Sequence, residues 1–229
     1  MSVNLQDVTV MIQREVILDR ISFQLDVGTI NALIGHNGAG KSTIMKTILG
    51  WQEKREGTIS INGIKQMEDF LAFKKQLAYI PEEPFLLSEL TVMQHFQLYG
   101  ESYQIDKEVL HENIDYYSKA FEITDKLNEY PEELSKGMRQ KVQTICAILP
   151  EVSLLLVDEP FMGLDIYATE FLERILKEKA ESGTTILLTS HQLERIKDLA
   201  DNYIMLQHGR VIDIGEITQF TSLKRRFET

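Results

Sequence analysis

The chain is poor in cysteine, in positive charge and in long apolar runs, and each shortage excludes a class of protein. Its 229 residues hold one cysteine, Cys146, so no internal disulfide framework can form. Cys146 lies in an apolar helical pattern and reads as a small buried hydrophobe. Lys and Arg number 24 against 35 Asp and Glu, a formal net charge of −11, which argues against a nucleic-acid-binding surface. A phosphate cradle is local and is not excluded by that balance. No apolar run approaches the roughly 18–20 residues that span a bilayer. The start, Met1 to Asp7, lacks the basic and apolar stretches of a signal peptide. Repeats, low-complexity tracts and long linkers are also missing. What remains, 43% hydrophobic and 26% charged residues, is ordinary for a soluble globular protein able to bury a sizeable core. The expectation is a cytosolic protein whose membrane role, if it has one, runs through a partner.

What is present centres on residues 35–43, which fit G-x-x-x-x-G-K-[ST]. The β-prone run Ile30-Asn31-Ala32-Leu33-Ile34 leads in, and a helical run from Ser42 to Leu49 leads out and stops at Gly50. Small residues at Gly35, Gly38, Ala39 and Gly40 let the backbone curl so that its N–H groups point inward. The helix behind adds the positive end of its dipole. Lys41 can then reach β- and γ-phosphates, and the Ser42 hydroxyl suits a Mg²⁺ position. His36, Asn37 and Thr43 complete the phosphate-binding stretch.

Strand patterns cover Leu5 to Met11, Ile21 to Leu25 and Ile59 to Ile61, the last ending in a turn signal at Asn62-Gly63. From about Glu89 to Leu149 strand signals vanish, and apolar residues recur at helical spacing, as in Val109-Leu110, Ile114, Tyr117 and Phe121. Alternation of strand and helix then returns. Leu154 to Val157 is a wholly apolar strand of the kind buried in a parallel sheet. A helix over Ile166 to Ala180, a strand over Thr184 to Thr189, a helix after Gln192 and a hairpin around His208-Gly209 follow. The predicted architecture is α/β: a P-loop NTPase core with a mixed or parallel sheet, an N-terminal antiparallel β subdomain and an inserted helical subdomain. Residues 1–88 and 150–229 would form the core, and 89–149 the insertion.

Two carboxylates, Asp158 and Glu159, end the apolar strand. The first can hold Mg²⁺ through water, and the second can aim at the water that attacks a γ-phosphate. Leu134-Ser135-Lys136-Gly137-Met138 opens a helix, either as an ordinary N-cap or as a second anion site too far from residues 35–43 to serve the same nucleotide. Gly163-Leu164-Asp165 and Ser190-His191 follow two further sheet-edge positions. The strand before His191 should lie beside the Asp158 strand, which would put the imidazole within reach of a γ-phosphate.

In this order, over nearly the whole chain, these segments resemble the ATP-binding subunit of an ABC transporter. Residues 35–43 resemble the Walker A motif, 134–138 the family signature, 154–159 the Walker B motif with its catalytic glutamate, 163–165 the D-loop and His191 the switch histidine. The resemblance implies ATP and Mg²⁺ as cofactors and ATP hydrolysis as the reaction. It implies a head-to-tail dimer with a second ATP-binding subunit, identical or related. Each γ-phosphate would be held by Lys41 and His191 of one subunit and by Ser135 and Gly137 of the other. It further implies a membrane-spanning partner subunit, with this chain peripheral on the inner face of the membrane. The Leu134 to Lys141 form of the signature is similar to subunits of small bacterial export systems and to Ecs-type subunits, and the segments Pro81-Glu82-Glu83-Pro84 and Asp158 to Asp165 are similar to the Ecs-type. A soluble regulatory ABC ATPase is the alternative, against which stand the single motif set and the lack of heptads.

Three departures stand out. Glu82 occupies the place where the family usually has Gln, so a carboxylate approaches the Mg²⁺ or the attacking water, and stronger Mg²⁺ dependence is expected. Lys136 and Met138 replace the commoner Gly and Gln, with Lys136 pointing either to water or to phosphate. No aromatic residue stands in Val10 to Arg14 to stack on a base, leaving Met11 or Ile12 as apolar contacts and predicting loose base selectivity. In Pro84 to Leu90, Phe85 and Leu87 either tuck into the core or line a groove for a helix of the membrane subunit. The basic end, Lys224 to Phe227, reads as a solvated terminus or a weak anionic-lipid contact.

Overall fold

The computed structural model describes residues 3–222, and Lys224 to Phe227 lie outside the described residues. The elements run β1 (Val3–Ile12), β2 (Glu15–Leu25), β3 (Ile30–Ile34), α1 (Lys41–Ile48), β4 (Glu56–Ile61), β5 (Ile64–Lys65), α2 (Phe70–Lys74) and β6 (Leu77–Ile80). They continue with α3 (Val92–Ser102), α4 (Lys107–Ala120), α5 (Lys136–Ile148), β7 (Leu154–Asp158), α6 (Ile166–Glu181), β8 (Thr185–Thr189), α7 (Leu193–Leu199), β9 (Asn202–Gln207) and β10 (Arg210–Glu216). Short 3₁₀ turns cover Thr124–Lys126, Pro131–Glu133 and Ile217–Ser222.

The strands form two sheets. An antiparallel four-stranded sheet has the order β2-β1-β4-β5, and a six-stranded sheet has the order β10-β9-β3-β8-β7-β6. In the larger sheet all pairs are parallel except β10 with β9, so it is mixed. Pleating divides its side chains between two cores. Leu154, Leu156, Leu187 and Leu33 pack toward the antiparallel sheet and α1. Leu155, Val157, Ile186 and Leu188 pack on the other face, against the helices. Burial on both faces explains why β7 reads as an unbroken apolar run.

Cys146 is fully buried in α5, where burial pushes its thiol well above the ordinary range. No helix among the described residues is long and apolar enough to cross a membrane. Several boundaries differ from the sequence expectation. β2 begins at Glu15 rather than near Ile21, because Arg20 (φ 49°) sits at a register shift against β1 that interrupts the period-two alternation. β5, α2 and β6 gave no readable signal, each being five residues or shorter. β6 takes its strand form from pairing with β7, with Tyr79 opposite Leu156.

Candidate functional site

The loop between β3 and α1 forms a cradle for anions. Gly38 (φ 80°) and Gly40 (φ 109°) sit in the left-handed region, which side-chain-bearing residues rarely adopt. A Cβ on Gly35 would lie 2.5 Å from the Leu206 carbonyl oxygen, so this position admits only glycine. Gly40 caps α1 without any side-chain hydrogen bond, leaving the first-turn N–H groups for a ligand. Lys41 Nζ donates to the carbonyls of Gly35 (2.7 Å) and His36 (3.3 Å), folding its charge back over the loop. His36 is exposed, and its Nδ1 lies 2.7 Å from the Asn37 carbonyl. Ala39 is buried, and Gly209 N–H donates to its carbonyl (3.1 Å), bracing the loop from the β9–β10 turn.

A cavity of about 540 Å³ opens at this loop. It is lined by Asn37, Gly38, Gly40, Lys41, Ser42 and Thr43, by Glu82, Asp158, Glu159 and His191, and by Ile12 and Ile17 of the first hairpin. The structure thus brings together the predicted carboxylates, lysine, hydroxyls and histidine from four segments. Ile12 and Ile17 supply the apolar lining of the cavity.

Asp158 is 5% exposed and is held from both sides. Register places it opposite Thr189, whose Oγ1 donates to Asp158 Oδ1 at 2.5 Å. The Tyr79 hydroxyl donates to Oδ2 at 3.4 Å. Burial, with Asp158 beside it, raises the Tyr79 phenol and keeps it a donor. Glu159 turns into the left-handed region (φ 46°), and its N–H donates to the Thr189 carbonyl and Oγ1, both at 3.2 Å. Its Oε2 accepts the His191 N–H (3.0 Å). Its Oε1 lies 3.4 Å from His191 Nε2, close enough for attraction but not aligned as a hydrogen bond, and no other protein donor reaches it. Burial raises the Glu159 carboxyl above the ordinary range, opposed by the His191 N–H and imidazole.

A buried carboxylate oxygen without a donor, a glycine-only cradle and a lysine turned onto its own loop together fit a bound phosphate chain, a divalent cation and an attacking water. Ser42 and Asp158, with Glu82 on the same wall, could hold the cation.

Ser135 and Gly137 do not line this cavity. Ser135 caps α5 by accepting the Met138 N–H (3.2 Å). A Cβ on Gly137 would come within 2.6 Å of the Gly163 carbonyl, so the signature helix lies directly on the loop after Glu159. Lys136 points mostly to solvent, with Nζ 3.9 Å from Glu83. Phe85 is 78% exposed rather than tucked into the core, and Leu87 is partly exposed. Tyr79, Thr189 and Lys141 were missed by sequence reading. A hydroxyl at the end of β8 was the available signal for Thr189, but only register assigns it a partner.

Residues 18–162 match the profile of the family described as ABC transporter. EcsA of Bacillus subtilis, an ABC-type transporter ATP-binding protein, is 36% identical over 216 residues, covering 94% of this chain and 87% of EcsA. SkfE of the same organism, a SkfA peptide export ATP-binding protein, is 31% identical over 203 residues, covering 89% and 84%. A solved ATP-binding subunit of an ABC transporter superposes with a TM-score of 0.93 at 35% identity, covering 100% of this chain and 94% of that one. The dimeric ATP-binding cassette MJ0796, bound to ADP and phosphate, superposes with a TM-score of 0.82 at 23% identity, a likeness of fold. The chain belongs to the ABC transporter family. Within it, this is an ATP-binding subunit, an ATPase whose ligands are ATP and Mg²⁺.

Proposed function

We propose that this chain couples ATP hydrolysis to a membrane-spanning partner, in the direction of export, from the cytoplasmic face of the membrane. The reading of the site rests on Glu159: a buried carboxylate with one oxygen held by His191 and the other without a donor, facing the cavity of Lys41, Ser42 and Asp158. Lys41 leaves the Gly35 and His36 carbonyls and places its charge on the β- and γ-phosphates. Ser42, Asp158 and Glu82 would hold Mg²⁺, which would supply charge neutralisation for phosphoryl transfer. Glu159 orients the attacking water and accepts its proton through Oε1, and His191 fixes Glu159 and contacts the γ-phosphate.

Ser135 and Gly137 lie away from the cavity of their own chain, which supports a role toward the nucleotide of a second subunit. Residues 89–149 act as a helical subdomain inserted in a core of 1–88 and 150–229, carrying that signature between the two nucleotides. The exposed Phe85, beside Trp51 and Tyr79, supports a groove for a segment of the membrane subunit. The likeness to SkfE supports export as the direction.

Glu159→Gln should bind ATP and run as a dimer in light scattering, while phosphate release falls by at least about a hundredfold, the usual weight of a general base. A strictly monomeric ATP-bound form would overturn the shared-site reading. Copurification with a polytopic membrane protein separates a transporter subunit from a soluble regulatory ATPase, and cargo movement in inside-out vesicles tests direction.

A further inference from the structure

A cavity of about 720 Å³ extends from Ser42 and Asp158 past Tyr79 to Trp51 and Phe85. Tyr79, Trp51 and Phe85 also line an adjoining hollow with Tyr99 and Tyr103. Trp51 meets the Tyr79 ring edge-on, with centroids 5.5 Å apart and planes at 82°. The hydroxyl at the other end of that ring reaches Asp158 Oδ2.

The two bonds to Asp158 differ in kind. Thr189 is wholly buried, and its 2.5 Å bond is fixed by the β7–β8 register. Tyr79 sits on β6, the edge strand of the sheet, and its ring is only half-buried. At 3.4 Å its bond lies near the outer limit of a hydrogen bond, so a ring shift of a few tenths of an ångström makes or breaks it. We propose that Tyr79 is a positioning residue that couples the aromatic hollow around Trp51 to Asp158, so that metal loading and the packing of the hollow change together. The inference rests on the reading of Asp158 as a holder of Mg²⁺. Coupling of this kind is reciprocal: a segment that presses on Trp51 and Tyr79 alters Mg²⁺ affinity, and Mg²⁺ with nucleotide alters the hollow.

Trp51 is the sole tryptophan of the chain, so its fluorescence reads the hollow directly. The experiment uses the full chain with a non-hydrolysable ATP analogue, titrated with Mg²⁺. In the unsubstituted protein Trp51 emission shifts as Mg²⁺ saturates. Tyr79→Phe, which keeps the ring and removes the hydroxyl, should lose most of that shift. It should also raise the Mg²⁺ midpoint of ATPase activity about three- to tenfold, the weight of one ordinary hydrogen bond, as suits a bond of 3.4 Å. Thr189→Val loosens the same carboxylate from the rigid side and should raise the midpoint while retaining the Trp51 shift. A Tyr79→Phe protein with both the midpoint and the emission shift of the parent would overturn the coupling alone. An active parent whose Trp51 is silent to Mg²⁺ would do the same. A parent that binds no Mg²⁺–nucleotide would overturn the reading of the site as well.

Discussion

Lys141 and Asp165 form a 2.7 Å ion pair that joins the signature helix α5 to the start of α6, one turn of loop beyond Glu159. The lysine side chain is 11% exposed and the aspartate 48%, so the pair straddles the protein surface. Asp165 also caps α6 by accepting the Ala168 N–H at 2.8 Å. The Ala168 N–H and then Lys141 hold its carboxyl below the ordinary range. The pair therefore ties α5 to the 163–165 loop.

Lys141→Met should lower stability by about 1 kcal/mol, because the surviving aspartate keeps its cap and its solvent. A depressed carboxyl pKa contributes stability that is present above the ordinary value of 3.8 and is lost as pH falls through the folded value. Denaturant titrations should therefore show the gap between parent and variant closing in acid. A constant gap from neutral to acid pH would place the effect in packing instead.

Thr189→Val preserves shape but removes a donor to Asp158 and an acceptor for the Glu159 N–H. The Glu159 N–H retains the Thr189 carbonyl, so the main loss falls on the carboxylate. Expected results are a fall in stability of about 1–3 kcal/mol and a higher Mg²⁺ midpoint for ATP hydrolysis. Chemical denaturation and metal titration measure the two effects separately.

Burial raises the Glu159 carboxyl above its ordinary 4.5. Between that value and the raised one the folded state binds more protons than the unfolded chain. Stability contributed by this group therefore falls as pH rises through that window. The acid limb of the ATPase pH profile should accordingly lie above the ordinary carboxylate range. A limb at or below it would mean that another group supplies the base.

Base selectivity should be loose. Ile12 and Ile17 offer apolar contact without a stacking ring, and an apolar wall discriminates weakly between isosteric bases. GTP should be hydrolysed with a kcat/KM within about tenfold of ATP. A strict preference for ATP would require a contact from outside the chain's own cavity wall.

Glu82 shares the cavity wall with Asp158, adding a carboxylate beside the phosphate chain. Glu82→Gln should flatten the dependence of ATPase activity on Mg²⁺, since less cation is needed to offset negative charge. An unchanged Mg²⁺ titration would place Glu82 outside the cation's reach.

The parts of the site that could be read from residue order alone were the local ones. Gly38, Gly40, Lys41 and Ser42 act within a single turn of backbone, so their spacing already encodes a phosphate cradle. The apolar run before Asp158 marked a buried strand, because both its faces are covered. The three-body grip on Asp158 could not be read this way. Tyr79, Asp158 and Thr189 come from three strands, and their contact exists only because β6, β7 and β8 pair in one register. The β6 segment, four residues on a sheet edge, has no periodicity of its own, and pairing makes it a strand. Local chemistry determined what the chain binds, while long-range strand pairing decided which side chains aim the carboxylates at it.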